Sequence, residues 1–267
     1  MSGRVVTLIY HDVVTPSERD AVGFPGPAAG LYKLTPDRFE AHLGAIAEVA
    51  GRSGSEGRAR VKLTFDDGGA SATWIASALE RHGLRGTFFV VTSRIGTAGF
   101  VDPDGVRELA ARGHEVGSHT DSHPAYMRRL ERSAVAEEWS RSRAALERIL
   151  GSPPSCAAVP GGSVSGVVVE EAARAGYERL YTSTPRLVSR RAHGMTVIGR
   201  FSIWANDPPA LAAAIAGRRR EVLARRWLGW QVKSAAKRVS PARYEAARRV
   251  IAARRSAAVK NDNNRAV

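Results

Sequence analysis

The sequence predicts an α/β fold in which six or seven parallel strands form a barrel-like sheet. β-Prone apolar runs alternate with helical segments from residue 5 to about residue 215, a pattern typical of βαβ units. Polar stretches follow the strands, and in parallel barrels the chemistry gathers at the carboxyl ends of the strands. The chain has 267 residues, of which 43% are hydrophobic, which is enough for one large domain with a sizeable core.

Apolar periodicity places the elements in order. The predicted strands cover residues 5–10, 64–67, 86–91, 114–117, 155–159, 179–182 and 195–203. The predicted helices cover residues 35–49, 70–81, 102–113, 131–150 and 167–175, followed by two basic amphipathic helices at residues 218–239 and 241–258. We therefore predict a barrel domain over residues 1–216, a basic helical extension over residues 217–259 and a disordered tail over residues 260–267.

The net charge of +14 is concentrated near the C-terminus, where residues 217–267 hold 15 Lys and Arg against 3 Asp and Glu. The rest of the chain is nearly neutral, so a uniformly basic protein is excluded and nucleic acid is not expected as a partner. Trp227 and Trp230 among basic residues are typical of an interfacial helix, so one interpretation is peripheral contact between residues 217–259 and an anionic membrane. The alternative is that the apolar stripe packs on the barrel and the charges are solvated.

The N-terminal residues lack the pattern of a signal peptide, and no apolar run approaches the length of a transmembrane helix. The single cysteine, Cys156, cannot form an intrachain disulfide and is expected to be a small core residue. We therefore expect a cytoplasmic protein, located at the inner membrane face if the extension binds lipid.

Two adjacent carboxylates, Asp66 and Asp67, follow the second predicted strand and precede two glycines. Because like charges side by side repel, either a cation lies nearby or one carboxyl has a raised pKa. His119 and His123 follow another strand and are four residues apart, a spacing that on a helical turn points both imidazoles the same way.

Asp67, His119 and His123 form an N,N,O ligand set with positions left open, which indicates a catalytic rather than a structural metal site. A metal there would act as a Lewis acid and lower the pKa of water, and Asp66 would be free to act as general base. The alternative is that the histidines are polar loop residues and the Asp pair forms a turn. The strand-end position of both motifs favours the metal site.

Thr64-Phe65-Asp66-Asp67-Gly68 and Ser118-His119-Thr120-Asp121-Ser122-His123 resemble the first two motifs of the polysaccharide deacetylase family, the NodB-homology domain of carbohydrate esterase family 4. Tyr10-His11 and residues 86–90 and 113–117 fit the same family, so the resemblance covers roughly residues 5–215. It implies a distorted (β/α) barrel of about seven parallel strands.

The resemblance also implies a hydrolase of non-peptide carbon–nitrogen bonds. Such an enzyme removes N-acetyl groups, or in some members O-acetyl groups, from a sugar by means of a metal-activated water. By the resemblance, Asp67, His119 and His123 hold a divalent metal, usually zinc, and Asp66 is the general base. The expected partner is an acetylated carbohydrate or glycolipid.

Two departures from the family pattern concern catalysis. The family's Arg-x-Pro-x-Gly motif reads Ala158-Val159-Pro160-Gly161-Gly162, so Ala158 stands where the family has the arginine that positions the catalytic aspartate. The family's late Leu-x-His, which supplies a general acid, has no match in residues 197–203. Pro160, Gly161 and Gly162 would still allow the backbone close to a substrate, although an ordinary loop is the alternative.

Two hypotheses address these departures. Arg200 is a lone charge in an apolar strand, and it would replace the missing cation if it approached Asp66; the alternative is a charge that faces solvent. His11, at the end of the first strand, would act as general acid or orient the substrate; the alternative is a packing role. The two losses also leave open a non-catalytic sugar-binding protein, and an amidohydrolase acting on a small non-sugar amide is a further alternative.

Overall fold

The computed structural model describes residues 5–51 and 61–239, with side chains through residue 235. Its strands are β1 (Val6–Tyr10), β2 (Val61–Phe65), β3 (Gly86–Val90), β4 (Glu115–Ser118), β5 (Cys156–Ala158), β6 (Arg179–Thr182), β7 (Arg190–Ala192), β8 (Met195–Gly199) and β9 (Phe201–Ser202). The helices of two turns or more are α1 (Pro36–Gly51), α2 (Ala72–Arg81), α3 (Pro103–Ala111), α4 (Arg132–Leu150), α5 (Gly166–Arg174), α6 (Pro209–Ala216) and α7 (Arg220–Val239).

All nine described strands belong to one sheet, in the order β7-β8-β6-β5-β4-β3-β2-β1-β9. Every pairing is parallel except that of β7 with β8, which is antiparallel. The prediction of about seven strands is therefore slightly low, for two reasons. The three-residue β7 was missed because it is too short to show periodicity, and the predicted strand at residues 195–203 is divided at Arg200 into β8 and β9.

The sheet curls so far that one continuous segment bonds to both of its sides. In that segment, β8 pairs with β6 through registers such as Leu180 with Val197, whereas β9 pairs with β1 at the opposite end of the sheet, where Leu8 faces Phe201. Arg200 lies at the junction, and its amide donates a hydrogen bond to the Thr184 carbonyl at 2.9 Å. The predicted α/β barrel-like fold is thus confirmed as a curled, mainly parallel half-barrel.

Helix boundaries follow local sequence signals. Helix α1 begins at Pro36, whose missing amide hydrogen is not needed in the first turn, and it buries Phe39, Leu43 and Ile46 at intervals of three and four. The Asp102 carboxylate accepts the Gly105 amide at 2.7 Å at the start of α3. Gly151 ends α4 in the left-handed conformation (φ 75°).

Three buried clusters fill the molecule. One joins β1–β4 to α1, α2, α3 and α6, and a second joins β5, β6 and β8 to α4 and α5. The third, formed by Phe89, Cys156, Ala158 and Tyr181, lies where the Arg200 guanidinium stacks on two rings, at 5.2 Å from Phe89 and 5.8 Å from Tyr181. Burial raises the pKa of the Cys156 thiol to about 12, in keeping with the expected core role.

The C-terminal region was predicted as a basic helical extension, and α7 lies within it. The second predicted basic helix and the tail at residues 260–267 lie outside the described residues. Within the described residues, no helix is long and apolar enough to span a bilayer.

Candidate active site

The side chains singled out in the sequence lie at the carboxyl ends of neighbouring parallel strands. His11 follows β1, Asp66 and Asp67 follow β2, and His119 follows β4. Because β1 to β4 are adjacent in the sheet, these residues meet at one rim. The segment Pro160–Gly162 follows β5 as a single 3₁₀ turn at the same rim.

Asp66 and Arg200 form a buried, two-pronged ion pair. The Arg200 Nη1 donates to Asp66 Oδ1 at 2.6 Å and Nη2 donates to Oδ2 at 2.9 Å, while Nη1 also lies 3.0 Å from Thr64 Oγ1. Arg200 therefore contacts Asp66 from the junction between β8 and β9 and does not face solvent, so the contact that the sequence hypothesis needed is present. Burial by itself would raise the pKa of Asp66, but the guanidinium and, to a smaller extent, His119 lower it to about 2.

Asp67, His119 and His123 converge on one point. The Asp67 Oδ1 lies 3.5 Å from Nε2 of His119 and 3.5 Å from Nε2 of His123, and one ligand atom from each residue lies within 4.8 Å of the others. The His119 Nδ1 lies 2.9 Å from the Ala158 carbonyl, which can only accept, so Nδ1 carries the hydrogen and Nε2 keeps its lone pair. This contact gives Ala158 a supporting position despite its lack of a polar side chain.

The electrostatics of this trio fit a divalent cation. Burial raises the pKa of Asp67 to about 7, and the charges of Asp66 and Asp12 contribute to the increase. Burial also lowers the pKa of His119 to about 3 and lowers the pKa of His123, so both imidazoles are neutral and able to ligate. A buried carboxyl that is costly to ionise beside two neutral imidazoles is the donor set expected of an N,N,O cation site.

The two histidines do not lie on a helical turn, and that part of the sequence interpretation is wrong. Residues 119–126 form a loop in which Thr120 (φ 68°) and His123 (φ 60°) adopt the left-handed conformation. The loop is held by the Glu138 carboxylate of α4, which accepts the backbone amides of Asp121 and Ser122, each at 2.9 Å. The Glu138 side chain, on the next long helix along the chain, therefore holds the segment between the two histidines, and no helical turn is needed.

His11 lies at the rim, stacked on Tyr32 with ring centroids 4.7 Å apart, and its buried Nδ1 has no hydrogen-bond partner in the described structure. Its neighbour Asp12 is buried and accepts a hydrogen bond from the Ser71 hydroxyl at 2.8 Å. Space beside Asp12 is so limited that a Cβ on Gly69 would lie 1.9 Å from its carboxylate. Sequence reasoning gave Asp12 no role, although its place directly after a strand and His11 was an available signal.

Lys33 is a second residue that sequence reasoning missed. It is only 3% exposed, and its ammonium donates to the carbonyls of Arg19 and Phe24, at 2.7 Å each, and of Val22. These bonds order the loop after β1, and the Phe24 ring lies 4.8 Å from the ring of His123. No local sequence pattern predicts such a contact, because the partners of the ammonium are backbone carbonyls.

A cleft of about 1000 Å³ opens over the rim. His11, Asp66, Asp67, His119, His123 and Arg200 all line it. Gly161 and Gly162 also line it, both with positive φ, whereas Pro160 is buried outside the cleft lining. Phe24 and Trp204 contribute aromatic faces to the cleft, and Tyr126 instead packs under Arg129.

Comparison with known proteins agrees with this geometry. The family model described as polysaccharide deacetylase matches residues 53–180. The peptidoglycan-N-acetylglucosamine deacetylase PgdA of Listeria monocytogenes is 31% identical over 114 residues, which cover 42% of this chain and 23% of that protein. A chitin deacetylase of Pestalotiopsis is 30% identical over 116 residues, covering 43% of this chain and 38% of that protein. The matched segment thus spans less than half the length of either relative.

Solved structures share the fold. The deacetylase PplD of Streptococcus pyogenes, in complex with acetate, superposes with a TM-score of 0.62 at 22% identity and covers 77% of this chain and 95% of that one. IcaB of Ammonifex degensii superposes with a TM-score of 0.63 at 22% identity, covering 80% of this chain and 97% of that one.

Proposed function

We propose that the chain is a metal-dependent hydrolase of the polysaccharide deacetylase family that removes N-acetyl groups from a carbohydrate. The observation that carries the proposal is the convergence of Asp67, His119 and His123 beside an ionised Asp66 in a cleft large enough for a sugar. The activities for which the two relatives are named, peptidoglycan and chitin deacetylation, support the substrate class.

Asp67, His119 and His123 would hold the cation, and two imidazoles with one carboxylate suit zinc. A divalent cation bound there would polarise the acetyl carbonyl and make water a better nucleophile at neutral pH. His119 is oriented for this role by its hydrogen bond to the Ala158 carbonyl.

In this proposal Asp66 takes the proton of the attacking water. Because its pKa is about 2, the carboxylate is ionised at neutral pH and needs no prior deprotonation. Arg200 acts through Asp66 and is a positioning residue, since the two-pronged contact fixes the plane of the carboxylate. We propose that Arg200 does here what the third-motif arginine does elsewhere in the family.

Amide hydrolysis also needs a proton for the departing amine. Water adds its oxygen to the acetyl carbon, the carbon–nitrogen bond breaks, and the products are acetate and the free amino sugar. His11 lines the cleft and has an unpartnered buried Nδ1, so we propose that it delivers this proton or orients the sugar. A His11→Ala variant with full turnover on a verified substrate would exclude the acid role.

The test is acetate release by the zinc-loaded full chain, with Asp66→Asn as the inactive control. Chitooligosaccharides report N-deacetylation, acetylated xylan reports O-deacetylation, and small aryl acetamides report an amidohydrolase. Acetate from chitooligosaccharides that is lost in Asp66→Asn is the expected result. Zinc binding with no acetate from any sugar would instead favour the sugar-binding alternative, and hydrolysis of only the small amides would favour the amidohydrolase.

A further inference from the structure

The cleft has one wall that the deacetylase motifs do not supply. Helix α7 provides it, with the lining residues Arg225, Arg226, Gly229, Trp230, Lys233 and Ser234. Two contacts fix the helix at the rim: Arg226 forms an ion pair with Asp207, and the Lys233 ammonium lies 4.0 Å from the ring centre of Trp204. The basic extension is thus part of the cleft and not only a solvated appendage.

Arg225, Gly229 and Lys233 lie four residues apart, so they form one row along α7. At the helical rise, the Cα atoms of the two cations are about 12 Å apart, which long side chains can span from both ends. A Cβ at Gly229 would meet nothing within 4 Å, so the space above the glycine is open. A glycine within an exposed helix is less stable than an alanine there. Its presence at position 229 is therefore better explained by the open space that it leaves than by helix stability.

Charge around the notch is mainly positive, and Glu221, one turn before Arg225, pairs with Arg219 at 4.0 Å. The carboxylates among the described cleft-lining residues are Asp66 and Asp67, which belong to the candidate metal site and not to the notch. Asp66 already pairs with Arg200. Arg225 is exposed and forms no ion pair with a described residue. An anion at the notch would meet two cations, a forked guanidinium and an ammonium.

We propose that the notch formed by Arg225, Gly229 and Lys233 binds a phosphate group of the substrate, so that the enzyme deacetylates a phosphorylated or diphosphate-linked amino sugar. The inference rests on the proposed function for the acetyl end of the cleft. A phosphate ester carries a charge of about −2 at neutral pH and several acceptor oxygens, which matches two cations better than the single charge of a carboxylate.

The test is calorimetric binding to the zinc-loaded full chain. The probes are N-acetylglucosamine 1-phosphate, its neutral methyl glycoside and N-acetylmuramic acid, which carries a carboxylate. We expect the phosphate to bind about tenfold more tightly than the neutral sugar, as one or two charge-assisted hydrogen bonds allow. Equal affinity for the phosphate and the neutral sugar, or an equal gain from the carboxylate, would overturn the proposal.

Three variants locate the effect. Arg225→Ala and Lys233→Ala should each remove most of the phosphate preference, and Gly229→Leu should remove it by filling the notch without changing charge. Arg220→Ala is the matched control, because Arg220 is an exposed arginine of α7 outside the cleft lining. A preference that survives in Arg225→Ala, or that falls as much in Arg220→Ala, would show that general electrostatics and not the notch is responsible.

Two further measurements separate the possibilities. Farnesyl-diphosphate-linked N-acetylglucosamine in detergent is compared with the soluble sugar phosphate; tighter binding of the lipid form assigns a lipid-linked source, and equal binding assigns a soluble one. Acetate release from the same sugars tests the proposed function by itself. Phosphate preference without acetate release would contradict the proposed function and support the phosphate site. Acetate release without phosphate preference would support the proposed function and contradict the phosphate site.

Discussion

Replacing Arg200 by methionine is the change with the clearest expected signature. Methionine keeps much of the buried volume beside Phe89 and Tyr181 but leaves the Asp66 carboxylate without its two hydrogen bonds. Breaking one partner of a buried ion pair costs about 3–5 kcal/mol, because an uncompensated charge remains. We expect a loss of this order in the free energy of unfolding near neutral pH, together with loss of the proposed deacetylation.

The pH dependence distinguishes this cause from poor packing. In the parent protein the pKa of Asp66 is lowered from 3.8 to about 2, which corresponds to about 2 kcal/mol of stability. That contribution is complete above the unfolded pKa and is lost as the pH falls toward about 2. In Arg200→Met, burial is unopposed by the guanidinium, so the pKa of Asp66 rises above its unfolded value. Its contribution then reverses sign, and protonation of Asp66 on mild acidification restores stability.

Urea unfolding of the metal-free protein, followed by circular dichroism near neutral pH and at mildly acidic pH, measures both effects. The double variant Asp66→Asn/Arg200→Met is the control, because it lacks the buried unpaired charge and should recover part of the stability. A loss of less than about 1 kcal/mol in Arg200→Met, with an Asp66-dependent pH profile that matches that of the parent, would contradict the role given to the ion pair.

Three further predictions concern other parts of the molecule. Zinc should raise the melting temperature of the chelator-treated protein, since it binds the folded state, and Asp67→Asn should abolish most of that increase in calorimetry. Lys33→Met should lower the free energy of unfolding by about 2–3 kcal/mol, because it leaves buried carbonyls unpaired. Chemical denaturation measures this change, and a variant as stable as the parent would contradict the role given to the ammonium. The outer face of α7 exposes Leu228 (59%) and Val232 (64%), so we expect co-sedimentation with anionic vesicles that Leu228→Ser/Val232→Ser weakens. The control Val188→Ser changes an exposed valine outside α7, and equal binding by all forms would remove the membrane interpretation.

The strand ends were predictable because each depends on a short stretch of neighbouring residues. An apolar run followed by Asp66 and Asp67 identifies both a strand and the rim where it ends. The interaction of Arg200 with Asp66 was available as a hypothesis, since a lone charge in an apolar strand needs a partner. Its geometry was not available, because 134 residues separate the two side chains in the chain.

The support of the site could not be read from the sequence in the same way. The His119–His123 spacing suggested a helical turn, but Glu138 holds a loop there by accepting backbone amides. Lys33 likewise donates hydrogen bonds to backbone carbonyls. Because every residue has a carbonyl, the sequence does not indicate which ones accept these bonds. The division of one predicted strand at Arg200 depends on the curl of the whole sheet, which local periodicity does not specify.

The segment that joins the two sides of the sheet has a consequence for the order in which the protein matures. A chain synthesised through β6 already contains His11, both adjacent aspartates and both histidines, but it lacks Arg200, the residue that pairs with Asp66. Arg200 arrives only with the final strands, whose pairing with β6 and β1 closes the sheet. The candidate metal ligands are therefore all synthesised before the ion pair of Asp66 with Arg200 can form, and that pair depends on the last strands of the sheet.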